Sequence, residues 1–203
     1  MALVETLADE EWLKTPRIIK AFRKVKRIDF MPAEAKDLAE LNEAVPIGYS
    51  QTISQPLTVA LMMELLQPEK GDSVLDVGSG SGWTSALLAE IVGPEGKVVA
   101  IEKIPELKEF GENNARNYGF KNLQFVSGDG SLGYIKEAPY DKILCSAAAQ
   151  GELPRAWKEQ LKVGGRIVSP IKSSIWLFLK KPKDVFEEKE YPGFSFVPLV
   201  EGQ

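Results

Sequence analysis

The pattern of apolar runs predicts an α/β protein with a Rossmann-like, doubly wound, mostly parallel seven-stranded sheet, an antiparallel edge strand and an N-terminal helical extension. From residue 73 onward, short β-rich runs alternate with helical segments, which is typical of parallel strands joined by right-handed crossovers. A turn with three glycines, VGSGSG at residues 77–82, follows the first of these strands. The last two apolar runs have no helical pattern between them, which favours an antiparallel pair at one edge.

The N-terminal part is predicted to be helical. Apolar residues between positions 8 and 27 recur at helical spacing, and LTVALMMELL at residues 57–66 indicates a helix that ends at PEKGD. A polar loop, VPIGYSQTISQP at residues 45–56, separates the two segments. We interpret the basic residues of the first segment as a solvated helix face, with a nucleic-acid patch as the alternative. They are Lys14, Arg17, Lys20, Arg23, Lys24, Lys26 and Arg27.

The alternating region supplies the sheet. Helices are predicted at residues 83–92, 105–118 and 153–161. The predicted strands are SVLDV, KVVAIE, LQFVSGD, DKILCSA, RIVSPI, IWLFLKK and FSFVPLV. The charged segment KPKDVFEEKEYPG is interpreted as the connection before the last strand. We expect one domain over residues 1–203, with a helical and loop region at 1–70 and the sheet core at 71–203.

Composition narrows the class of protein. A net charge of -4 argues weakly against nucleic-acid binding, and 44% hydrophobic with 27% charged residues is ordinary for a globular protein. The single cysteine, Cys145, lies in an apolar run and is expected to be buried, in a reducing compartment. No run approaches the roughly 20 apolar residues that span a bilayer, and the acidic opening MALVETLADEEW differs from a signal peptide. We therefore expect a cytoplasmic protein.

The chain contains no histidine. Histidine is the commonest general base at neutral pH and the commonest transition-metal ligand. With a single cysteine as well, no metal site is expected. Any chemistry must proceed without a histidine base.

The strongest local signal is VLDVGSGSGW at residues 74–83, where Gly78, Gly80 and Gly82 lie between a strand and a helix. Glycines there let a ligand approach the backbone at a helix N-terminus, where free N–H groups favour an anionic or polar group. The spacing GxGxG differs from the GxGxxG of pyrophosphate-binding loops, because Trp83 stands where the last glycine would be. This turn resembles the first motif of the class I methyltransferases, which bind S-adenosylmethionine.

Two carboxylates follow the next two predicted strands. Glu102 ends KVVAIE, where it would accept hydrogen bonds from both ribose hydroxyls of a nucleoside. Asp129 follows LQFVS between Gly128 and Gly130, where it would accept from an adenine amine. Each acid alone is more often a solvated or turn residue. Three such elements in order at successive strand ends predict nucleoside binding.

Several segments resemble the protein L-isoaspartate O-methyltransferases. VPIGYSQTISQP is similar to the substrate loop of that family and, as in the family, it precedes the cofactor-binding part. Further similar segments run along nearly the whole chain: AFRKVKRIDFMP, VLDVGSGSGW, IVGPEGKVVAIEKIPEL, SGDGSLGY, APYDKILCSAAA, LKVGGRIVSP and FVPLVEG. QTISQP and FVPL are not general methyltransferase features, so the resemblance is specific.

The resemblance implies methyl transfer from S-adenosylmethionine to the α-carboxylate of L-isoaspartyl residues, leaving S-adenosylhomocysteine. Ser54 is then the catalytic residue near the acceptor, with Gln51, Thr52 and Ile53 shaping its pocket. The alternative for Ser54 is an N-cap of the next helix. The implied cofactor-binding residues are Asp76, Gly78, Ser79, Gly80, Gly82, Glu102, Lys103, Gly128, Asp129 and Gly130.

The chemistry also suits a chain without histidine. A carboxylate with an ordinary pKa near 4 is ionised at neutral pH, so it can attack a sulfonium methyl without a general base. The expected partners are isoaspartyl-containing proteins and peptides; no nucleic acid or membrane partner is expected, and the protein is expected to be a monomer.

Three features differ from the family pattern. SAAAQGELP has Gln150 where the family commonly has a proline, Tyr49 and Ser50 replace a variable residue and a glycine, and residues 172–193 form a shorter segment. The difference at Gln150 affects how a substrate fits, because this segment borders the active site in the family. Two alternatives remain: another class I methyltransferase acting on RNA or a small molecule, or a non-catalytic module that binds damaged or C-terminal peptide segments.

Overall fold

The computed structural model describes residues 3–200 and 202. The helices are α1 (Leu3–Asp9), α2 (Pro16–Lys24), α3 (Pro56–Leu66), α4 (Trp83–Val92), α5 (Pro105–Arg116) and α6 (Arg155–Gln160). The strands are β1 (Val45–Gly48), β2 (Gln51–Ile53), β3 (Ser73–Val77), β4 (Lys97–Glu102), β5 (Leu123–Ser127), β6 (Tyr140–Cys145), β7 (Leu161–Ile171), β8 (Ser174–Lys180) and β9 (Phe186–Pro192). Within these described residues, no helix is both long and apolar enough to span a membrane.

Strands β3 to β9 form the main sheet, in the order β5-β4-β3-β6-β7-β8-β9. The pairs from β5 to β7 are parallel, whereas β8 runs antiparallel to both of its neighbours. The strand order reverses between β3 and β6. This reversal leaves a crevice at the carboxyl ends of the central strands, which is where open α/β sheets bind ligands.

The two faces of the sheet carry separate apolar cores. Along β3, Val74 belongs to one core and Leu75 to the other, and Val98 and Val99 alternate in the same way along β4. The first core includes the buried faces of α2, α3 and α4, and the second includes Trp157 of α6. Helices on both faces make the sheet doubly wound, as predicted.

The N-terminal helical region contributes to the first core. It contains two helices, α1 and α2, and residues 10–15 between them are not helical. In this connection the N–H groups of Lys14 and Thr15 donate to Glu64 of α3, both at 2.8 Å. Phe22 of α2 meets Trp83 of α4 edge to face, with ring centroids 5.7 Å apart. This packing holds the N-terminal helices against the start of α4.

The basic residues of this region are not all solvated. Arg27 is only 6% exposed, so its assignment to a solvated helix face is wrong. It lies in a short 3-10 helix, Arg27–Phe30, and its side chain donates to backbone carbonyls instead of water. Arg23 matches the expectation, since it is exposed and pairs with Glu5.

The segment predicted as a polar loop forms an antiparallel hairpin of β1 and β2. Its two-residue turn consists of Tyr49 and Ser50, with φ angles of 52° and 56°. Positive φ at both positions matches the twist of a tight hairpin, but neither residue is a glycine or an asparagine, which this conformation favours. Val45 and Ile53 turn their side chains into the first core.

The last strand of the sheet was predicted in the wrong segment. The charged run that we interpreted as a connection contains β9, which pairs with β8 along its full length. Residues 194–200, predicted as a strand, lie outside the sheet and make one isolated bridge, from Pro198 to Ala148. The apolar side chains of this tail line a cavity at the edge of the sheet instead of forming a strand.

Candidate active site

One cavity of about 910 Å³ lies at the carboxyl ends of the central strands. Its walls come from the turn after β3, the ends of β4 and β6, residues 51–55 of the hairpin and its exit, and the tail at residues 193–200. These segments are far apart in the sequence and meet because parallel strands end at the same edge of the sheet.

The glycine turn forms the floor of the cavity. Gly78 and Gly80 line it and have φ angles of 74° and 48°, which favour glycine. The N–H groups of Gly78 and Ser79 donate to the carbonyl of Ile101 on β4, at 2.9 and 3.2 Å. The turn is therefore bonded to the neighbouring strand and presents its backbone to the cavity.

Gly82 does not line the cavity. It is the N-cap of α4 with a φ of 83°, and a Cβ atom there would lie 2.7 Å from the carbonyl oxygen of Gly111 in α5. The two glycines let α4 and α5 approach closely. Gly82 therefore shapes the turn by helix packing.

Glu102 connects the end of β4 to the glycine turn. Its side chain is 7% exposed; Oε2 accepts from the N–H of Gly80 at 2.8 Å, and Oε1 accepts from the N–H of Ile104 at 3.0 Å. A carboxylate oxygen has two lone pairs, so each oxygen keeps one acceptor site for a ligand in the cavity. The next residue, Lys103, also lines the cavity.

Asp76 lies below the turn and is fully buried. Its Oδ2 accepts from the hydroxyls of Thr84 and Ser85, at 2.9 and 2.6 Å, whereas its Oδ1 has no partner. Burial raises the pKa of Asp76 to about 6, the hydroxyls of Ser85 and Thr84 oppose the shift, and the charge of Glu102 adds to it. Asp76 is not part of the cavity lining, but Thr84 is.

The loop after β5 contributes only Gly130 to the cavity. Gly128 and Asp129 lie outside the lining. Asp129 accepts from the N–H and hydroxyl of Ser131 and, at 2.8 Å, from the N–H of Gly202. Burial raises the pKa of Asp129, but these hydrogen bonds and the charge of Lys103 outweigh it and hold the pKa below its usual value.

The predicted substrate residues Gln51, Thr52, Ile53 and Ser54 all line the same cavity as the glycine turn. The N-cap of α3 is Gln55, and the first turn is capped by Asn42, whose Oδ1 accepts from the N–H of Leu57, so Ser54 does not act as the N-cap. Across residues 3–200 and 202, the hydroxyl of Ser54 has no hydrogen-bond partner, and only its carbonyl accepts a hydrogen bond, from Arg27. This hydroxyl remains available to a ligand.

The tail at residues 193–200 is the largest part of the site that sequence reasoning missed. It is held by the N–H of Ala148, which donates to Val197, and by the N–H of Leu199, which donates to Ala148, both at 2.8 Å. The ammonium of Lys103 donates to the carbonyls of Val200 and Gly202 at 3.2 and 3.0 Å. The FVPL segment, similar to the family, was the signal that pointed to this tail.

Ser146 and Ala147, after β6, also line the cavity, whereas Gln150 does not. Gln150 is exposed and its side chain donates to the carbonyl of Ala148 at 3.2 Å. The difference from the family at Gln150 therefore lies beside the cavity lining. In the described part of the chain, acidic, cysteine and histidine side chains form no group of three that could hold a metal ion.

The lining fits a ligand that carries several polar groups. Ser79 lines the cavity and its buried Oγ has no partner. A buried polar atom without a partner is costly, so this hydroxyl favours a ligand that supplies a hydrogen bond. Together, the fold and the site define a class I S-adenosylmethionine-dependent methyltransferase. The defining features are the doubly wound sheet with antiparallel β8 beside β9, the glycine turn after β3, and Glu102 at the end of β4.

Comparison with known proteins identifies the family to which the chain belongs within this class. The model of the family described as protein-L-isoaspartate(D-aspartate) O-methyltransferase matches residues 1–203. The chain belongs to this family.

Relatives match over most of their length. A protein-L-isoaspartate O-methyltransferase of Methanopyrus kandleri is 41% identical over 203 residues, covering 98% of this chain and 89% of the relative. The protein-L-isoaspartate O-methyltransferase 2 of Archaeoglobus fulgidus is 46% identical over 186 residues, covering 90% and 84%.

Two solved structures share the fold. One, a protein-L-isoaspartate O-methyltransferase, superposes with a TM-score of 0.88 at 29% identity; it covers 98% of this chain, which spans 65% of that chain. A Plasmodium falciparum structure, described as a putative protein-L-isoaspartate O-methyltransferase beta-aspartate methyltransferase in complex with S-adenosyl-L-homocysteine, has a TM-score of 0.86 at 20% identity, covering 98% of this chain and 97% of that chain.

Proposed function

We propose that this member of the family transfers a methyl group from S-adenosylmethionine to the free α-carboxylate of an L-isoaspartyl residue in a damaged polypeptide. The methyl ester then closes to a succinimide, part of which reopens to normal aspartate, so that the overall effect is repair. The observation that carries the proposal is one cavity that is lined both by the glycine turn with Glu102 and by residues 51–54 of the hairpin and its exit.

The cofactor would be held at the floor of this cavity. Glu102 has the acceptor sites for the ribose hydroxyls, and the backbone of Gly78 to Gly80 and the free Oγ of Ser79 border the adjoining space. Asp76 places a negative charge below the turn, which favours a cationic group above it. When bound, S-adenosylmethionine supplies a methyl group on a positively charged sulfur.

The acceptor would be held by the hairpin. An α-carboxylate is ionised at neutral pH, so the chain's own residues need only orient it and exclude water. The hydroxyls of Thr52 and Ser54 are neutral donors suited to that task. Within the described lining, Lys103 is the only cationic side chain, and its ammonium is bonded to tail carbonyls. The acceptor oxygen therefore keeps its nucleophilic character.

The test is methyl transfer from labelled S-adenosylmethionine to paired peptides that differ only in an L-isoaspartyl or L-aspartyl linkage. We expect base-labile label on the isoaspartyl peptide alone, because a methyl ester is hydrolysed by base. Label on RNA, or cofactor binding without transfer to either peptide, would contradict the proposal.

A further inference from the structure

Arg27 is a buried cation beside the substrate hairpin. Burial lowers the pKa of its guanidinium to about 10, against the opposing charge of Glu40. In residues 3–200 and 202, its hydrogen-bond acceptors are all backbone carbonyls. The guanidinium carbon also lies 5.8 Å from the ring centroid of Trp83, which lines the cavity.

The two terminal nitrogens of Arg27 donate hydrogen bonds to different segments of the chain. Nη1 binds the end of the 3-10 helix Ala33–Leu38 and the loop after it. It donates to the carbonyls of Leu38, Ala39 and Leu41, at 3.3, 3.2 and 3.2 Å. Nη2 donates to Glu43 at 2.7 Å and to Ser54 at 3.4 Å. Glu43 precedes β1 and Ser54 follows β2, so one nitrogen joins the chain entering the hairpin to the chain leaving it.

A second bridge lies beside this one. The carbonyl of Asn42 accepts from the side chain of Gln55 at 2.9 Å, and its Oδ1 accepts from the N–H of Leu57 at 3.0 Å. Both bridges act on the exit of the hairpin, where Ser54 lines the cavity.

Burying the Arg27 guanidinium in this way costs free energy of folding, so stability alone does not account for it. Nε of Arg27 is buried without a partner, and a buried cation is often no more stabilising than an apolar side chain of similar volume. The guanidinium is well suited to joining several carbonyls in fixed directions, because it is planar and carries five N–H donors.

We propose that Arg27 is a positioning residue for methyl transfer: by joining Glu43 to Ser54 it holds the Ser54 main chain at a fixed place in the cavity that the glycine turn also lines. Arg27 does not line the cavity and acts through Ser54. The inference rests on the proposed function, in which Ser54 orients the acceptor carboxylate. A displacement of about 1 Å at such a residue is enough to slow a reaction roughly 100-fold.

The test compares Arg27→Lys, which keeps the charge but loses the planar fork, with Arg27→Met, which loses both. The matched control is Lys180→Met. Lys180 is also a buried cation, 7% exposed, and it donates to the carbonyls of Lys158 and Leu161, away from the hairpin. For each variant we would measure kcat and the peptide KM, the Kd of S-adenosylhomocysteine, and hydrogen exchange of residues 45–54.

We expect both Arg27 variants to lower kcat/KM for the isoaspartyl peptide at least tenfold, to leave the Kd of S-adenosylhomocysteine within about twofold, and to speed exchange in residues 45–54. Lys180→Met should lower the melting temperature without changing hairpin exchange or peptide KM.

A folded Arg27→Lys protein with wild-type kcat/KM and hairpin exchange would overturn the inference. An equal loss of cofactor and peptide binding, or failure of both Arg27 variants to fold, would overturn it as well, since the role would then be general stability. Wild-type protein that does not methylate the peptide would contradict the proposed function, while hairpin exchange would still decide whether Arg27 holds residues 45–54.

Discussion

The carboxylate of Glu102 accepts a hydrogen bond from the N–H of Gly80 at 2.8 Å, so the end of β4 is bonded directly to the turn that follows β3. Glu102→Ala removes this support and the proposed ribose acceptor together. We expect the variant to weaken S-adenosylhomocysteine binding by about 1.5–3 kcal/mol, from charged hydrogen bonds lost, as measured by calorimetry. Glu109→Ala, at an exposed position of α5, is the control. Unchanged affinity of the Glu102 variant would refute the ribose placement.

Ser54→Ala removes the hydroxyl of a residue that lines the cavity. We expect turnover of the isoaspartyl peptide to fall about tenfold while cofactor affinity stays close to wild type, because the hydroxyl lies on the hairpin side of the cavity. Steady-state kinetics and calorimetry separate the two effects. Ser173→Ala, at an exposed turn outside the cavity, should match wild type in both. Wild-type turnover of Ser54→Ala would remove the catalytic role.

Gly82→Ala should destabilise the fold more than it changes the cavity surface. The added methyl group would lie 2.7 Å from the carbonyl oxygen of Gly111, at a positive φ. Strain and overpacking together predict a loss of about 2 kcal/mol or more in the free energy of unfolding, measured with guanidinium chloride. Gly119→Ala shares a positive φ of 67° but meets nothing within 4 Å, so it isolates the strain. Equal losses in both variants would show that packing against Gly111 is unimportant.

Ser50→Gly should stabilise the hairpin. Ser50 has a φ of 56°, which costs a residue with a side chain roughly 1 kcal/mol but costs glycine almost nothing. We expect a net gain of up to about 0.5 kcal/mol in the free energy of unfolding, because the greater flexibility of glycine in the unfolded chain offsets part of the relieved strain. Ser173 has no positive φ, so Ser173→Gly should give no gain. A lower stability of Ser50→Gly would contradict a strained turn.

The raised pKa of Asp76 leads us to predict that the free energy of unfolding depends on pH. Its folded-state pKa of about 6 exceeds the usual value of 3.8, so between these pH values the folded chain holds a proton that the unfolded chain has released. The contribution of Asp76 to stability is therefore present at low pH and is lost as pH rises through about 6, by up to about 1.4 kcal/mol per pH unit.

Asp76→Asn cannot titrate, so the wild type should lose stability relative to this variant between about pH 4 and pH 6. Denaturant unfolding at several pH values measures the difference. The exposed Asp37→Asn serves as a control and should follow the wild-type curve. Parallel curves for wild type and Asp76→Asn would show that burial does not raise this pKa.

The central strands could be predicted because strands buried on both faces appear as continuous apolar runs with clear ends. KVVAIE and SVLDV match β4 and β3 residue for residue. The edge strand β9 could not be recognised, since its outer side faces water and its residues are mostly charged and exposed. The hairpin was missed because Tyr49 and Ser50 are not the residues that usually mark such a turn.

Part of the site could be predicted for a similar reason. Gly78, Gly80 and Glu102 stand at the ends of neighbouring strands, so their proximity follows from the order of the strands. Arg27 could not be found in this way, because its carbonyl partners lie in other segments and the nearby Lys24 and Lys26 are exposed basic residues. The contact of Gly82 with Gly111 also depends on how two helices pack, which no local spacing reveals.

The charged side chains of β9 affect how one molecule meets another. Glu187, Glu188 and Glu190 are exposed along the last strand of the sheet. If a second copy extended the sheet at this edge, the carboxylates of both chains would be brought together and would repel each other at neutral pH. The charged side chains of β9 therefore protect this open edge of the sheet from pairing with a second molecule.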